Sequence, residues 1–138
     1  MIVYDRQVRF EDVDAAGIVF FARFFGYCHE AMEALFSSLP GGYVDLVVKR
    51  KVGFPAVHVE ADFKSPLRYG DIARISVDVT KIGTKSATLR YSIARASDDK
   101  PVAVISHVCA VSDLEKLRAV EIPADIRGVL EKNLVASQ

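Results

Sequence analysis

Cysteine is scarce in this chain of 138 residues: there are two, Cys28 and Cys109, each inside an apolar segment. No C-x-x-C spacing is present, so neither a zinc nor a thiol–disulfide redox reading has support, and both read as buried, reduced thiols. An excess of charge of either sign is also missing, since 18 Lys and Arg balance 18 Asp and Glu. That removes the global field that draws proteins to nucleic acid or to an anionic membrane, and leaves only local basic clusters. No segment stays apolar for the ~18 residues a membrane span needs. The opening Met1-Ile2-Val3-Tyr4-Asp5-Arg6 reaches a charge too early for a secretory signal, so a cytoplasmic chain is expected. Repeats, linkers and low-complexity segments are lacking. The three histidines are scattered without the spacing of a ligand set, so neither a metal nor a cofactor is expected.

What is present is apolar content, 51% of the residues, enough to fill the core of one domain over 1–138. Ile2 to Phe10 alternates loosely and predicts a strand. Asp12-Val13-Asp14-Ala15-Ala16-Gly17 then forms a polar, small-residue loop. Phe21, Phe25, Cys28, Met32, Leu35 and Leu39 recur at spacings of three and four, which predicts an amphipathic helix stopped by Pro40-Gly41-Gly42. Residues 43–54 are ambiguous and admit a short helix at Val44 to Val48. From Val57 the period becomes two. Val57, Val59, Ala61 and Phe63 alternate with His58, Glu60, Asp62 and Lys64, and similar alternations follow from Ala73 to Val79 and from Ala87 to Ile93. Val102 to Val111 is nearly continuously apolar, as a strand covered on both faces would be. The short turns between these four strands imply an antiparallel meander, and a last short helix is expected from Ala124 to Leu134. The helix can bury its stripe only across the sheet, giving an α+β two-layer domain whose open edge or face favours pairing with a second copy.

If any segment carries chemistry, it is Asp12 to Phe21. A helix N-terminus presents unpaired N–H groups and the positive end of the dipole, suited to an oxyanion forming on an attacked carbonyl. A carboxylate just upstream, Asp14, would reach the same carbon as a nucleophile or through a water. Gly17 lets the backbone pass close to a ligand. Taken alone, the pattern more often means a helix cap or a turn.

The run Phe10 to Phe36 resembles the 4-hydroxybenzoyl-CoA thioesterase family. The motif Asp12-Val13-Asp14-Ala15-Ala16-Gly17-Ile18-Val19-Phe20 and the C-terminal Leu117-Arg118-Ala119-Val120-Glu121-Ile122-Pro123-Ala124-Asp125 carry the resemblance. It implies a single hotdog domain, a long helix packed on a five- to six-stranded antiparallel sheet, forming a homodimer or homotetramer with active sites between protomers. It implies hydrolysis of an acyl-CoA substrate, with Asp14 as the catalytic aspartate, nucleophile or general base, and the Phe21 backbone N–H polarising the carbonyl beside Gly17. Lys85, Ser86 and Arg118, with Lys116, would lie near the CoA phosphates. One branch of the family carries a His at the position of Phe21, which here offers only backbone and ring. His29 falls where hydroxybenzoyl-specific members place a carboxylate, and is expected to line the acyl pocket. His58 reads as a surface residue, His107 as a hydrogen-bonded core residue, and Glu30 as a solvated helix residue or a base. Phe20, Phe21, Phe24 and Phe25 read as core, part of it walling a greasy pocket. A medium-sized apolar or aromatic acyl group is preferred. Two other readings stay open. One is a hotdog hydratase or dehydratase, against which Val19 stands where its His would be; the other is a module that binds acyl thioesters without turnover.

Overall fold

The computed structural model describes residues 1–136. Strand β1 (Ile2–Gln7) leads through a one-turn 3₁₀ segment into helix α1 (Phe21–Leu35) and then α2 (Gly42–Val48). The short β2 (Val52–Gly53) follows, then β3 (Ala56–Phe63), β4 (Ile72–Ile82), β5 (Ser86–Arg95) and β6 (Lys100–Ala110). The short strands β7 (Ser112–Asp113) and β8 (Arg118–Ala119) and helix α3 (Ala124–Lys132) complete the chain. The main sheet is antiparallel in the order β1-β4-β5-β6-β3, with a small β2-β7-β8 sheet beside it. This is the expected α+β architecture, one long helix laid on a five-stranded sheet.

The topology is not the simple meander that the short turns imply. β3 pairs with β6, whereas β4 pairs with β1 and β5. The reason lies in residues 64–71, which cross from one side of the sheet to the other instead of folding back as a hairpin. On the way Leu67 is fully buried, and its carbonyl accepts the Val19 N–H at 2.9 Å. The crossover therefore holds the loop before α1 in place.

Along α1 the buried positions are Phe24, Tyr27, Cys28, Ala31, Met32 and Leu35. The predicted stripe is thus shared only in part, because Phe21 and Phe25 are exposed. Tyr27 and Ala31 fill the sheet-facing side, turning the first two phenylalanines toward the β3 side. The helix ends at Leu35, short of Leu39, in a 3₁₀ turn, and Gly41 and Gly42 take left-handed φ values of 74° and 60° before α2. β1 ends at Gln7, not Phe10, and Phe10 is 76% exposed against Tyr69. The inner face of the sheet supplies Ile75, Val77, Val79, Leu89, Tyr91, Ile93 and Ile105 to the core. β6 is buried on that face and only half-buried on the other, so its apolar run is not covered twice.

β3 departs most from expectation. Its alternation is present, yet nearly every residue is exposed, with Val57 at 61%, Val59 at 41% and Phe63 at 48%. It is one of the sheet's two outer strands, and unlike β1 it is not covered by α1.

Leu67→Ala is expected to lower the unfolding free energy by about 3 kcal/mol, within the range for large-to-small core changes. A urea midpoint within error of wild type would show that the crossover does not anchor the loop.

Candidate functional site

The loop that precedes α1 is a miniature hairpin. Val13 and Val19 form an antiparallel bridge, Asp14 N–H donates to the Ile18 carbonyl at 3.0 Å, and Gly17 N–H returns to the Asp14 carbonyl at 2.9 Å. Gly17 takes φ +77°, which a Cβ would strain, while no heavy atom of the chain lies within 4 Å of where that Cβ would stand. Its glycine is thus set by the turn and not by close packing within the chain.

Asp14 is exposed and does not cap the helix. Its Oδ1 accepts the Ala16 N–H at 2.8 Å, a local turn bond, and Oδ2 has no hydrogen-bond partner among the described residues. The turn reading of this aspartate is therefore correct as far as one oxygen goes. Helix α1 starts after Phe20 with no side-chain cap at all. Arg23 N–H bonds back to the Phe20 carbonyl, whereas the N–H groups of Phe21 and Ala22 find no backbone acceptor among the described residues. Asp14, Phe20, Phe21 and Phe24 share a cavity of about 520 Å³ with Phe63 and Lys64. A carboxylate oxygen and an uncapped, positive helix end thus open into one space, the pairing that attack on a carbonyl requires.

This loop is tethered from below by Asp12, which has no solvent exposure. Its Oδ2 accepts from Arg9 N–H at 2.8 Å, the Tyr27 hydroxyl at 2.8 Å and Arg6 Nη1 at 3.2 Å. Its carbonyl accepts the Phe20 N–H at 3.3 Å. Burial pushes the Asp12 carboxyl up, but the Arg9 amide, the Tyr27 hydroxyl and the Arg6 and Arg23 guanidinium groups outweigh it and hold it below the usual range. Oδ1 has no hydrogen-bond partner among the described residues, with Arg23 Nε 3.9 Å away. Arg6 also bonds Glu30 at 3.0 Å, and Glu30 accepts from Tyr4 at 2.7 Å. Glu30 is therefore neither a free base nor simply solvated.

A second cavity, about 190 Å³, lies between α1 and the β3–β6 pair. Phe25, Cys28, Met32, Val59 and Ile105 give it apolar walls, and His29 and His107 enter it as expected and unexpected polar groups respectively. His29 sits 3.1 Å from Glu33 and edge-on to Tyr43. His107 is hydrogen-bonded as foreseen, with Nδ1 3.2 Å from the Tyr91 hydroxyl, but it also faces this cavity. Burial, and then the charge on His29, push its pKa down. His58 is exposed beside Glu60.

The basic residues lie elsewhere. Lys85 and Ser86 form the β4–β5 turn, where the Lys85 carbonyl accepts the Val111 N–H and the Thr84 carbonyl the Ile122 N–H. Arg118 pairs with Asp113 across the neighbouring β7–β8 hairpin. These segments follow the C-terminal end of β6, while the Asp14 loop touches the chain just after β3, at the β6 end marked by Ala103. From Ala103 to Val111 a strand spans roughly 26 Å. One protomer thus brings Asp14, Gly17 and Phe21 together, and leaves Lys85, Ser86 and Arg118 at the opposite end of its sheet. Lys64 in the first cavity, and His107 with Tyr91 in the second, were missed as site residues. Lys64 carries no signal beyond a turn after a strand, but the alternation of β6 puts His107 on the same face as Ile105.

Residues 8–130 match the model of the thioesterase-like superfamily. A 1,4-dihydroxy-2-naphthoyl-CoA hydrolase of Nostoc punctiforme is 37% identical over 94% of this chain and 86% of its own. A 1,4-dihydroxy-2-naphthoyl-CoA thioesterase from Synechocystis superposes with a TM-score of 0.83 at 26% identity, covering 94% of both chains. The 4-hydroxybenzoyl CoA thioesterase of a Pseudomonas species gives 0.82 at 29% identity, over 93% of this chain and 97% of that one. The last is a structural neighbour, so the family expected from the motif narrows to the wrong branch; the superfamily is what holds.

Asp12→Ala leaves Arg6 and Tyr27 facing an empty buried site and is expected to cost about 3–5 kcal/mol at pH 7, read from urea unfolding. Because the folded carboxyl titrates below its unfolded value, its contribution is complete above about pH 4 and fades as the pH falls through the folded value. The advantage of wild type over Asp12→Asn should narrow on acidification, and a constant gap from pH 7 to pH 2.5 would contradict this.

Proposed function

We propose that this chain, which belongs to the thioesterase-like superfamily, hydrolyses an aromatic acyl-CoA to the free acid and CoA, with Asp14 and the first turn of α1 acting on one carbonyl. The relatives named as CoA thioester hydrolases support the reaction class. The observation that carries the mechanism is the cavity shared by Asp14 and Phe21, the first residue of the uncapped helix.

In this reading the thioester oxygen rests on the Phe21 N–H. Weak resonance makes the thioester carbonyl carbon electrophilic, and the helix end stabilises the negative charge that develops on oxygen. The Asp14 carboxylate then either adds to that carbon, expelling CoA thiolate and leaving an anhydride that water cleaves, or takes the proton of a water that adds instead. Both routes consume one water and release one acid and one thiol. No side chain of Phe21 takes part.

The acyl group fits the second cavity. A hydrophobic space near 150 Å³ accommodates a benzene ring, so about 190 Å³ suits an aromatic acyl group better than a long chain.

The active form is a homodimer paired through β3. This edge carries exposed Val57, Val59 and Phe63 with no strand beyond it, a surface that water alone covers poorly. Two-fold pairing of one strand with itself is antiparallel, so the Phe63 end of one protomer meets the Ala56 end of the partner. The Asp14 cavity of one chain then borders the sheet end where the other chain carries Lys85, Ser86 and Arg118. These residues hold CoA phosphates through charge-assisted hydrogen bonds, with the site assembled from two copies.

Asp14→Asn is expected to slow thiol release from aromatic acyl-CoAs at least 100-fold, with the thermal melt unchanged. Undiminished turnover would remove Asp14 from the mechanism. Val59→Lys should convert the dimer to monomers by sedimentation and raise KM for acyl-CoA; a monomeric wild type with full activity would refute the two-chain site.

A further inference from the structure

The second cavity contains a polar pair that the proposed chemistry leaves unused. Tyr91 is 1% exposed, and the sole hydrogen-bond partner of its hydroxyl among the described residues is His107 Nδ1, 3.2 Å away. The two rings also stack at a centroid distance of 6.1 Å. Burial raises the Tyr91 pKa strongly, so the phenol keeps its proton, and Nδ1 is the acceptor available to it. Burial likewise favours the neutral form of His107. A neutral imidazole that accepts at Nδ1 must carry its hydrogen on Nε2. Nε2 has no partner among the described residues, and the ring lines a cavity whose other walls are Phe25, Cys28, Met32, Val59 and Ile105.

Nε2 is thus an unpaired donor open to an otherwise greasy cavity, and an acyl group that displaces water from that cavity strands the donor unless it brings an acceptor of its own. We propose that His107, with its tautomer fixed by Tyr91, is a specificity-determining residue of the acyl pocket, donating from Nε2 to an oxygen substituent on the aromatic ring of the acyl group. The inference rests on the thioesterase reading and adds to it the residue that would sort oxygenated from unsubstituted aromatic acyl groups. Position on the fold supports the assignment. His107 lies on the inner face of β6, opposite Val59 of β3 and Leu89 of β5, so it meets the far part of an acyl group whose carbonyl lies at the helix N-terminus. His29, on α1, is engaged by Glu33 and Tyr43 and is less free to serve as this donor. Cys28 in the same wall is a poor donor whose thiol burial pushes up to about 12.

The test compares kcat/KM for benzoyl-CoA with that for each of its monohydroxylated isomers. Wild type should favour at least one hydroxylated isomer by about 10-fold or more, because a site built to bond an oxygen penalises the analogue lacking it. His107→Leu should bring that ratio to about 1. His107→Gln, which keeps a donor, should restore part of it, and Tyr91→Phe should weaken it about 3-fold or more by freeing the tautomer. A ratio unchanged in His107→Leu, or a loss equal for every ester, overturns the assignment, since a merely structural role would not separate the substrates. If wild type releases no thiol from any member of the panel, the thioesterase reading itself fails. If it hydrolyses the panel but His107→Leu keeps the preference, only the specificity assignment falls.

Discussion

A carboxylate with no solvent exposure must find its compensation inside the fold, and Asp12 finds it in three different elements at once. Arg6 belongs to β1, the Arg9 amide to the turn after it, and Tyr27 to the second turn of α1. The same residue accepts the Phe20 N–H through its carbonyl, at the point where α1 starts. Strand, loop and helix are thereby fixed to one another around a single charge. Asp14 stands two residues away on that loop, and the free amides of Phe21 and Ala22 follow the clipped Phe20. Their relative position is the quantity on which carbonyl chemistry depends, since an ångström of misplacement costs large factors in rate. The first aspartate of the Asp-x-Asp pair thus sets geometry, and in the proposed reaction the second is the one that meets the substrate.

The unfinished edge of the sheet has the same logic at a larger scale. Covering β3 within one chain would need a further strand or a longer α1. The chain instead leaves Val59 and Phe63 exposed and turns Phe21 and Phe25 toward them. These groups border both cavities, so the surface that a second copy would cover is also the surface where an acyl group would lie. Burial of the apolar edge and enclosure of the thioester are then one event, which excludes water from the carbonyl only when the assembly is complete.

Much of this was legible in the sequence because it depends on local period and local turn chemistry. The alternation in β3, β4 and β5, the three-and-four spacing of α1 and the small-residue loop at 12–17 each depend on neighbours a few residues apart. The failures are non-local. Strand order depends on where residues 64–71 travel, and nothing in Lys64 to Asp71 distinguishes a crossover from a hairpin turn. The exposure of Phe21 and Phe25 follows from how far the sheet extends beneath the helix, which periodicity does not measure. Asp12 looks like any polar loop residue, and its burial is set by Arg6 and Tyr27, 6 and 15 residues away. His107 was correctly placed in a strand with a hydrogen-bond partner. That its other nitrogen faces a cavity depends on the packing of α1 against β3.

The cysteines show why the acyl pocket must be dry as well as greasy. Cys28 lines the cavity in which the acyl group would sit, close to a thioester that any thiolate would attack. Thiol–thioester exchange there would move the acyl group onto the protein and stall turnover. The thiolate is the nucleophile, and burial pushes the Cys28 thiol up to about 12 and Cys109 to about 11, with no cation beside Cys28 to oppose the shift. Asp14, by contrast, is exposed and opens into the same cavity as the positive end of a helix. The fold thus gives the two groups different environments: apolar walls hold the Cys28 sulfur as a thiol, while the Asp14 carboxylate opens to solvent beside the helix N-terminus. A polar substitution near Cys28 that admitted water would erode that separation along with the ring-binding surface, so the apolar lining protects the direction of the reaction and not only the affinity for substrate.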